Sequence, residues 1–137
     1  MERFEENSYS GAKLNFYRNL PKSAPKAIVH ISHGMAEHAG RYEWFMQTLM
    51  EAGYAVYAHD IRGHGYTYAS DSFKGHFSDK HGLDKLLHDL DFAIHLIKKN
   101  HPNVPIFCFG HSLGSILLLR YATVSYTHLR AHETRTY

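Results

Sequence analysis

Cysteine is nearly missing from this chain: Cys108 is the only one in 137 residues. A lone thiol excludes an internal disulfide and suits a reducing compartment. Set in the apolar run 106–109, it reads as a small packing residue rather than a reactive group. No apolar stretch approaches the roughly 20 residues needed to span a bilayer. The opening residues 1–7 are charged and lack an apolar segment, so no signal peptide is visible and a cytoplasmic location is expected. Charge of one sign is also scarce, because 15 Lys and Arg against 13 Asp and Glu leave a formal +2 with no basic cluster. That balance gives no reason to expect nucleic acid or an anionic membrane as a partner. Histidine is plentiful, at 13 residues, but no H-E-x-x-H helix and no histidine pair with a third ligand appears, so no metal is expected.

What is present has the periodicity of an α/β domain, and its length asks for one domain at most. Residues 13–18 alternate loosely and read as an edge strand. The runs 27–31, 54–58 and 106–109 are continuously apolar, the pattern of parallel strands buried on both faces. Between them, 41–52 reads as an amphipathic helix with Trp44, Phe45 and Leu49 on its apolar side and Gly53 as its stop. From Leu83 the positions Leu86, Leu87, Leu90, Ile94 and Ile97 keep helical spacing as far as Asn100, where His101-Pro102 ends it. The polar and aromatic segment 66–82 is too long for an ordinary connection and reads as a functional or covering loop. Strand and helix alternate in an order that implies a mostly parallel sheet with flanking helices.

The strongest local signal is Gly110-His111-Ser112-Leu113-Gly114, which follows the apolar strand and precedes the apolar run Ile116-Leu117-Leu118-Leu119, expected as a buried helix. In that setting G-x-S-x-G marks a nucleophile elbow, a tight turn that holds a serine hydroxyl outward. A Cβ at Gly110 or Gly114 would collide with the neighbouring strand or helix. A capping serine at a glycine-rich helix start is the plainer alternative.

Taken together, four blocks resemble the α/β-hydrolases of the monoacylglycerol lipase and lysophospholipase type, also called the serine aminopeptidase S33-like group. They are His33-Gly34-Met35-Ala36-Glu37-His38 with Gly40-Arg41-Tyr42; Asp60-x-Arg62-Gly63-His64-Gly65; Gly75-x-Phe77-x-Asp79 leading to Asp89-Leu90; and the Ser112 block. The resemblance covers about residues 13–122 and implies the N-terminal half of that fold. It implies a serine hydrolase of carboxylic esters, acting on an acyl ester or lipid through an acyl-enzyme on Ser112 and meeting lipid surfaces only in transient contact. It also implies oxyanion donors at the backbone N–H groups of Met35 and Leu113, with His33, Gly34, Gly110, His111 and Gly114 shaping the site. Such chemistry needs no cofactor, since the serine is its own nucleophile.

Two features qualify the expected activity. The resemblance places a triad acid and histidine well after the serine, and both are absent from this sequence. Residues 124–137 show no apolar periodicity and resemble a translated adapter peptide, so a partial hydrolase domain over 1–123 followed by a non-native or disordered tail is expected. The chain by itself is then expected to be inactive. Two other readings stay open: an S33-type aminopeptidase or amidase, and a truncated module without catalysis.

Overall fold

The computed structural model describes residues 1–124. Five strands form one mixed sheet in the order β1-β2-β4-β3-β5, with β1 at Glu2–Asn7, β2 at Lys13–Asn19, β3 at Ile28–Ser32, β4 at Ala55–His59 and β5 at Ile106–Gly110. β3 runs parallel to β4 on one side and to β5 on the other. β1, β2 and β4 are successively antiparallel. Helix α1 (Glu43–Glu51) follows β3 through a short 3-10 turn at Ala39–Tyr42, α2 (Gly82–Asn100) follows β4, and α3 (Leu113–Val124) follows β5. This is the expected α/β architecture.

The pleat sends alternate residues of each strand to opposite faces, and the helices divide accordingly. Met46 of α1 packs against Ile31, Val56 and Ala58 on one face. On the other face, Leu90 and Ile94 of α2 and Leu117 and Tyr121 of α3 pack together, joined by Ile106 and Cys108 of β5. Ile97 meets Ile28 and Tyr57 there as well. Each such side chain, fully buried, contributes about 1.5–3 kcal/mol.

Several expectations are corrected. Residues 13–19 are not an edge strand, because β1 covers them. Its pattern of Glu, Arg and Asn around a single Phe4 hides the strand, which is held by Phe4 stacking on Phe16 at 5.0 Å and by a two-pronged bond from Arg18 to Glu2 at 2.9 and 2.7 Å. β5 is half-buried on one face and exposed on the other. It lies at the margin of the described sheet, where Phe107 and Phe109 are 37% and 42% exposed and Phe45 of α1 packs edge-on against Phe109. Helix α3 likewise buries Gly114, Leu117 and Tyr121 but leaves Ile116 and Leu119 exposed, because no described element covers that side. Trp44 and Leu83 also face outward. Val124 is the last residue of α3, and the rest of the expected tail lies outside the described residues. No helix among the described residues is long and apolar enough to cross a membrane.

A buried histidine pair makes the core sensitive to acid. His30 Nε2 and His59 Nδ1 are 3.3 Å apart, both side chains are buried, and His30 Nδ1 has no hydrogen-bond partner. Burial lowers the pKa of His30 to about 4, and burial with the neighbouring rings holds His59 well below its ordinary value. The unfolded chain, with ordinary histidines near 6.5, therefore binds more protons than the folded one over roughly pH 4–6.5. Stability is complete above that window and is lost as pH falls through it. His30 alone is expected to remove about 2 kcal/mol between pH 7 and pH 5. Urea unfolding midpoints at the two pH values check this, and a His30→Gln variant should show a smaller drop.

Candidate active site

The site is assembled where β3 and β5 end side by side. Ser32 pairs with Gly110 at the last register position, and the His111 N–H donates to the Ser32 carbonyl at 3.1 Å. From there the chain turns within two residues into α3. Gly114 N–H donates to His111 O at 2.9 Å, and Ser115 and Ile116 N–H donate to Ser112 O at 3.0 and 3.2 Å. Ser112 sits at the apex with φ +52°, in the left-handed region a side chain rarely adopts. Such strain persists only where the surroundings over-determine it. The bonds on either side supply that constraint. The side chain of Ser112 is exposed, and nothing among the described residues hydrogen-bonds its hydroxyl.

Both flanking glycines are required by space. A Cβ on Gly110 would lie 2.6 Å from the Ser115 Cα, and one on Gly114 would lie 2.6 Å from the His33 carbonyl oxygen and closer still to that of Ser32. Helix α3 therefore starts directly against the end of β3, which brings the elbow beside the loop His33 to His38.

That loop is fixed from three directions. His33 Nδ1–H donates to Gly34 O at 2.7 Å while its Nε2 accepts from Ile61 N–H at 2.9 Å. Burial lowers its pKa, against smaller opposing effects from Gly34 O and Asp60. With both nitrogens engaged and the ring neutral, His33 ties β3 to the start of the next loop and is not disposed to take a proton from Ser112. His64 is used the same way, Nδ1–H to Arg62 O at 3.0 Å and Nε2 from Ala36 N–H at 3.3 Å. Asp60, fully buried, accepts from Ala39 N–H at 2.8 Å, Asn15 at 2.9 Å and Tyr66 N–H at 2.9 Å.

Glu37 is the residue that sequence reasoning missed. Its Oε2 accepts from Gly34 N–H at 2.6 Å, from the Tyr42 hydroxyl at 2.9 Å and from His111 Nδ1 at 3.1 Å. One carboxylate oxygen thus joins the loop after β3 to the elbow after β5. Burial raises the Glu37 pKa, but these three donors outweigh it and leave the carboxyl below its ordinary value. The spacing of Glu37 from His33 was visible in the sequence; that it folds back onto Gly34 and across to His111 was not. Glu37→Ala is expected to speed amide exchange at Gly34 about tenfold or more, the loss of a charge-assisted hydrogen bond. In the unchanged chain that protection should persist below pH 4.5.

With Gly34 and Ala36 N–H engaged, the Met35 N–H between them has no hydrogen-bond partner among the described residues, and neither does the Leu113 N–H at the first turn of α3. The loop holds a second strained residue, Ala36 at φ +60°. Unengaged backbone donors of this kind can stabilise a developing oxyanion.

The sequence matches the family described as serine aminopeptidase, S33, over residues 23–132. It is 35% identical to a monoglyceride lipase of Rattus norvegicus over 108 residues, which is 79% of this chain and 34% of that lipase. It is 36% identical to a monoacylglycerol lipase of Mycolicibacterium smegmatis over 119 residues, 85% of this chain and 40% of the relative. Among solved structures, a thermostable carboxyl esterase of Bacillus coagulans superposes with a TM-score of 0.76 at 31% identity, covering 88% of this chain and 39% of the esterase. The chain thus spans roughly a third to two fifths of the length of these relatives. By the extent of the family match, and with the fold that the esterase shares, the chain belongs to the serine aminopeptidase S33 family of α/β-hydrolases.

Proposed function

We propose that this chain carries the nucleophile half of a carboxylic ester hydrolase acting on monoacylglycerol-like or lysophospholipid-like substrates. Ser112 Oγ attacks the ester carbonyl, the bond to the alcohol breaks, and the acyl group stays on the serine until water releases it. The negative charge that develops on the carbonyl oxygen is received by the Met35 and Leu113 N–H groups, which need no reorganisation when it appears. The strained Ser112 at the tip of the β5–α3 turn is the observation that carries this reading. The lipase names of the relatives support the substrate class.

Proton transfer is the missing part. Among the described residues no histidine hydrogen-bonds the Ser112 hydroxyl; His33 and His64 have both ring nitrogens engaged, and His111 Nδ1 is held by Glu37. Without a histidine to take its proton, the Ser112 hydroxyl attacks far more slowly than in a complete triad. The chain alone is therefore expected to be inactive as a turnover enzyme, and slow acylation of Ser112 by an activated ester is the step to follow. The aminopeptidase reading rests on the family description. A matched ester and aminoacyl amide separate the two. Ester release that disappears in Ser112→Ala supports the proposal, and preferential release of the amino acid, or turnover indifferent to Ser112, overturns it.

A further inference from the structure

The loop that carries Met35 follows β3, the turn that carries Leu113 follows β5, and one side chain bonds to both. Glu37 Oε2 accepts from the Gly34 N–H at 2.6 Å and from His111 Nδ1 at 3.1 Å, while the Tyr42 hydroxyl, just before α1, donates to it at 2.9 Å. We infer that Glu37 is a positioning residue for acyl transfer, holding the Met35 and Leu113 N–H groups at the spacing that one oxyanion needs. The inference rests on the ester-hydrolase reading above and names the residue that sets the geometry of that site.

The tilt of the Met35 peptide has other supports. Gly34 O, in the same peptide plane, accepts from His33 Nδ1–H at 2.7 Å, and the next N–H, of Ala36, donates to His64 at 3.3 Å. Both histidines are tied in turn to the loop after β4, through Ile61 N–H and Arg62 O. The elbow is fixed separately, by the His111 N–H on Ser32 O, upstream of the loop. Tilt is thus secured from the β4 side, and the gap between loop and elbow is spanned by the bond from His111 to Glu37.

That bond acts one residue from one donor and two from the other. Gly34 precedes Met35, and His111 stands two before Leu113. Gly34 is packed so tightly there that a Cβ on it would lie 2.9 Å from Glu37 Oε2 and 3.1 Å from His111 Nδ1, so no side chain of its own keeps the two segments apart. Without a Cβ its backbone is also the freest in the loop, and the Glu37 bond is what restrains its N–H. A carboxylate near a developing oxyanion also repels it. Three donors already meet that oxygen, and water screens it at a rim where the His111 side chain is 64% exposed. Misplacing a group by about 1 Å costs on the order of 10²-fold in rate, so positioning outweighs repulsion.

The test is the rate at which an alkyl fluorophosphonate phosphonylates Ser112 in the folded full chain. Glu37→Ala should slow labelling about tenfold or more, toward the 10²–10³ that a lost donor costs. Glu37→Gln, whose amide oxygen can take the same N–H, should recover most of that rate. On the elbow side, His111→Ala changes an exposed ring and should slow labelling about three- to tenfold, the loss of one hydrogen bond, whereas His111→Asn keeps a side-chain N–H and should recover it. Gly11→Ala, strained far from the site, should label at the unchanged rate, which separates positioning from lost stability. The ³¹P signal of the Ser112 adduct should move toward that of the urea-unfolded adduct in Glu37→Ala and stay in place in Glu37→Gln. Alanine variants that label as fast as the unchanged chain, or that Gln and Asn fail to rescue, overturn the inference and leave Ser112 standing as nucleophile. No labelling of the unchanged folded chain would instead overturn the hydrolase reading, and this inference with it.

Discussion

Arg62→Met is expected to lower the stability of the chain by about 3–5 kcal/mol, the cost of stripping one partner from a buried ion pair. Arg62 is 1% exposed, and its guanidinium reaches Asp71 at 2.8 Å, Phe77 O at 3.1 Å, and Ser10 O and Oγ at 3.0 and 3.1 Å, with Nε 3.4 Å from Asp89 Oδ2. It therefore braces the β1–β2 hairpin, the loop after β4 and the helix α2 at one point. Asp89, equally buried, also accepts from Ser8 at 2.6 Å and Ser10 at 2.5 Å; burial raises its pKa, against those bonds and Arg62. Without the arginine, Asp89 keeps its burial and loses the opposing charge. Asp89→Leu added to Arg62→Met should recover part of the loss, because an apolar pair of similar volume leaves no unpaired charge. Arg62→Lys should not rescue, since a point charge cannot replace a planar fork reaching four groups. Denaturant unfolding of the three variants measures each step, and a loss below 1 kcal/mol for Arg62→Met would contradict the bracing role.

The second large effect is at the elbow. Gly114→Ala should cost about 3 kcal/mol or more, at the upper end for overpacking, because its methyl would enter the space of two backbone carbonyls that cannot rotate aside. Gly114 has no unusual φ, so its cost is one of space. Gly11 supplies the contrast: φ is +89° and nothing lies within 4 Å of an added Cβ, so Gly11→Ala should cost only about 1–2 kcal/mol of backbone strain. Comparable losses in the two variants would mean that the contact between α3 and the end of β3 is looser than described.

The parts of this fold legible in the sequence were those whose signal is local. The apolar runs gave β3 and β4 nearly to the residue, and the spacing of Leu86, Leu90, Ile94 and Ile97 gave α2. The elbow was legible because strand, glycine, serine and glycine are contiguous. What escaped is set by partners distant in sequence. β1 has a single inward Phe4 and is a strand only because β2 pairs with it. The burial of β5 and α3 was overestimated because an apolar residue records a preference for burial, not the presence of a cover, and Phe107 and Ile116 have none among the described residues. Glu37 and the Arg62–Asp89 brace are contacts across 74 and 27 positions, between polar residues whose types alone suggest a solvated surface.

The central claim is that Ser112 is presented as a nucleophile beside two free backbone donors. An alkyl fluorophosphonate tests it most directly, because phosphonylation needs the same attack and places an oxygen where the donors point. The account predicts slow labelling of the folded full chain at a single site, mapped by peptide mass to Ser112, abolished in Ser112→Ala and slowed about 10²–10³-fold if either donor is displaced. Labelling spread over Ser32, Ser72 and Ser115 at similar rates, or none at all in a folded sample, would contradict it.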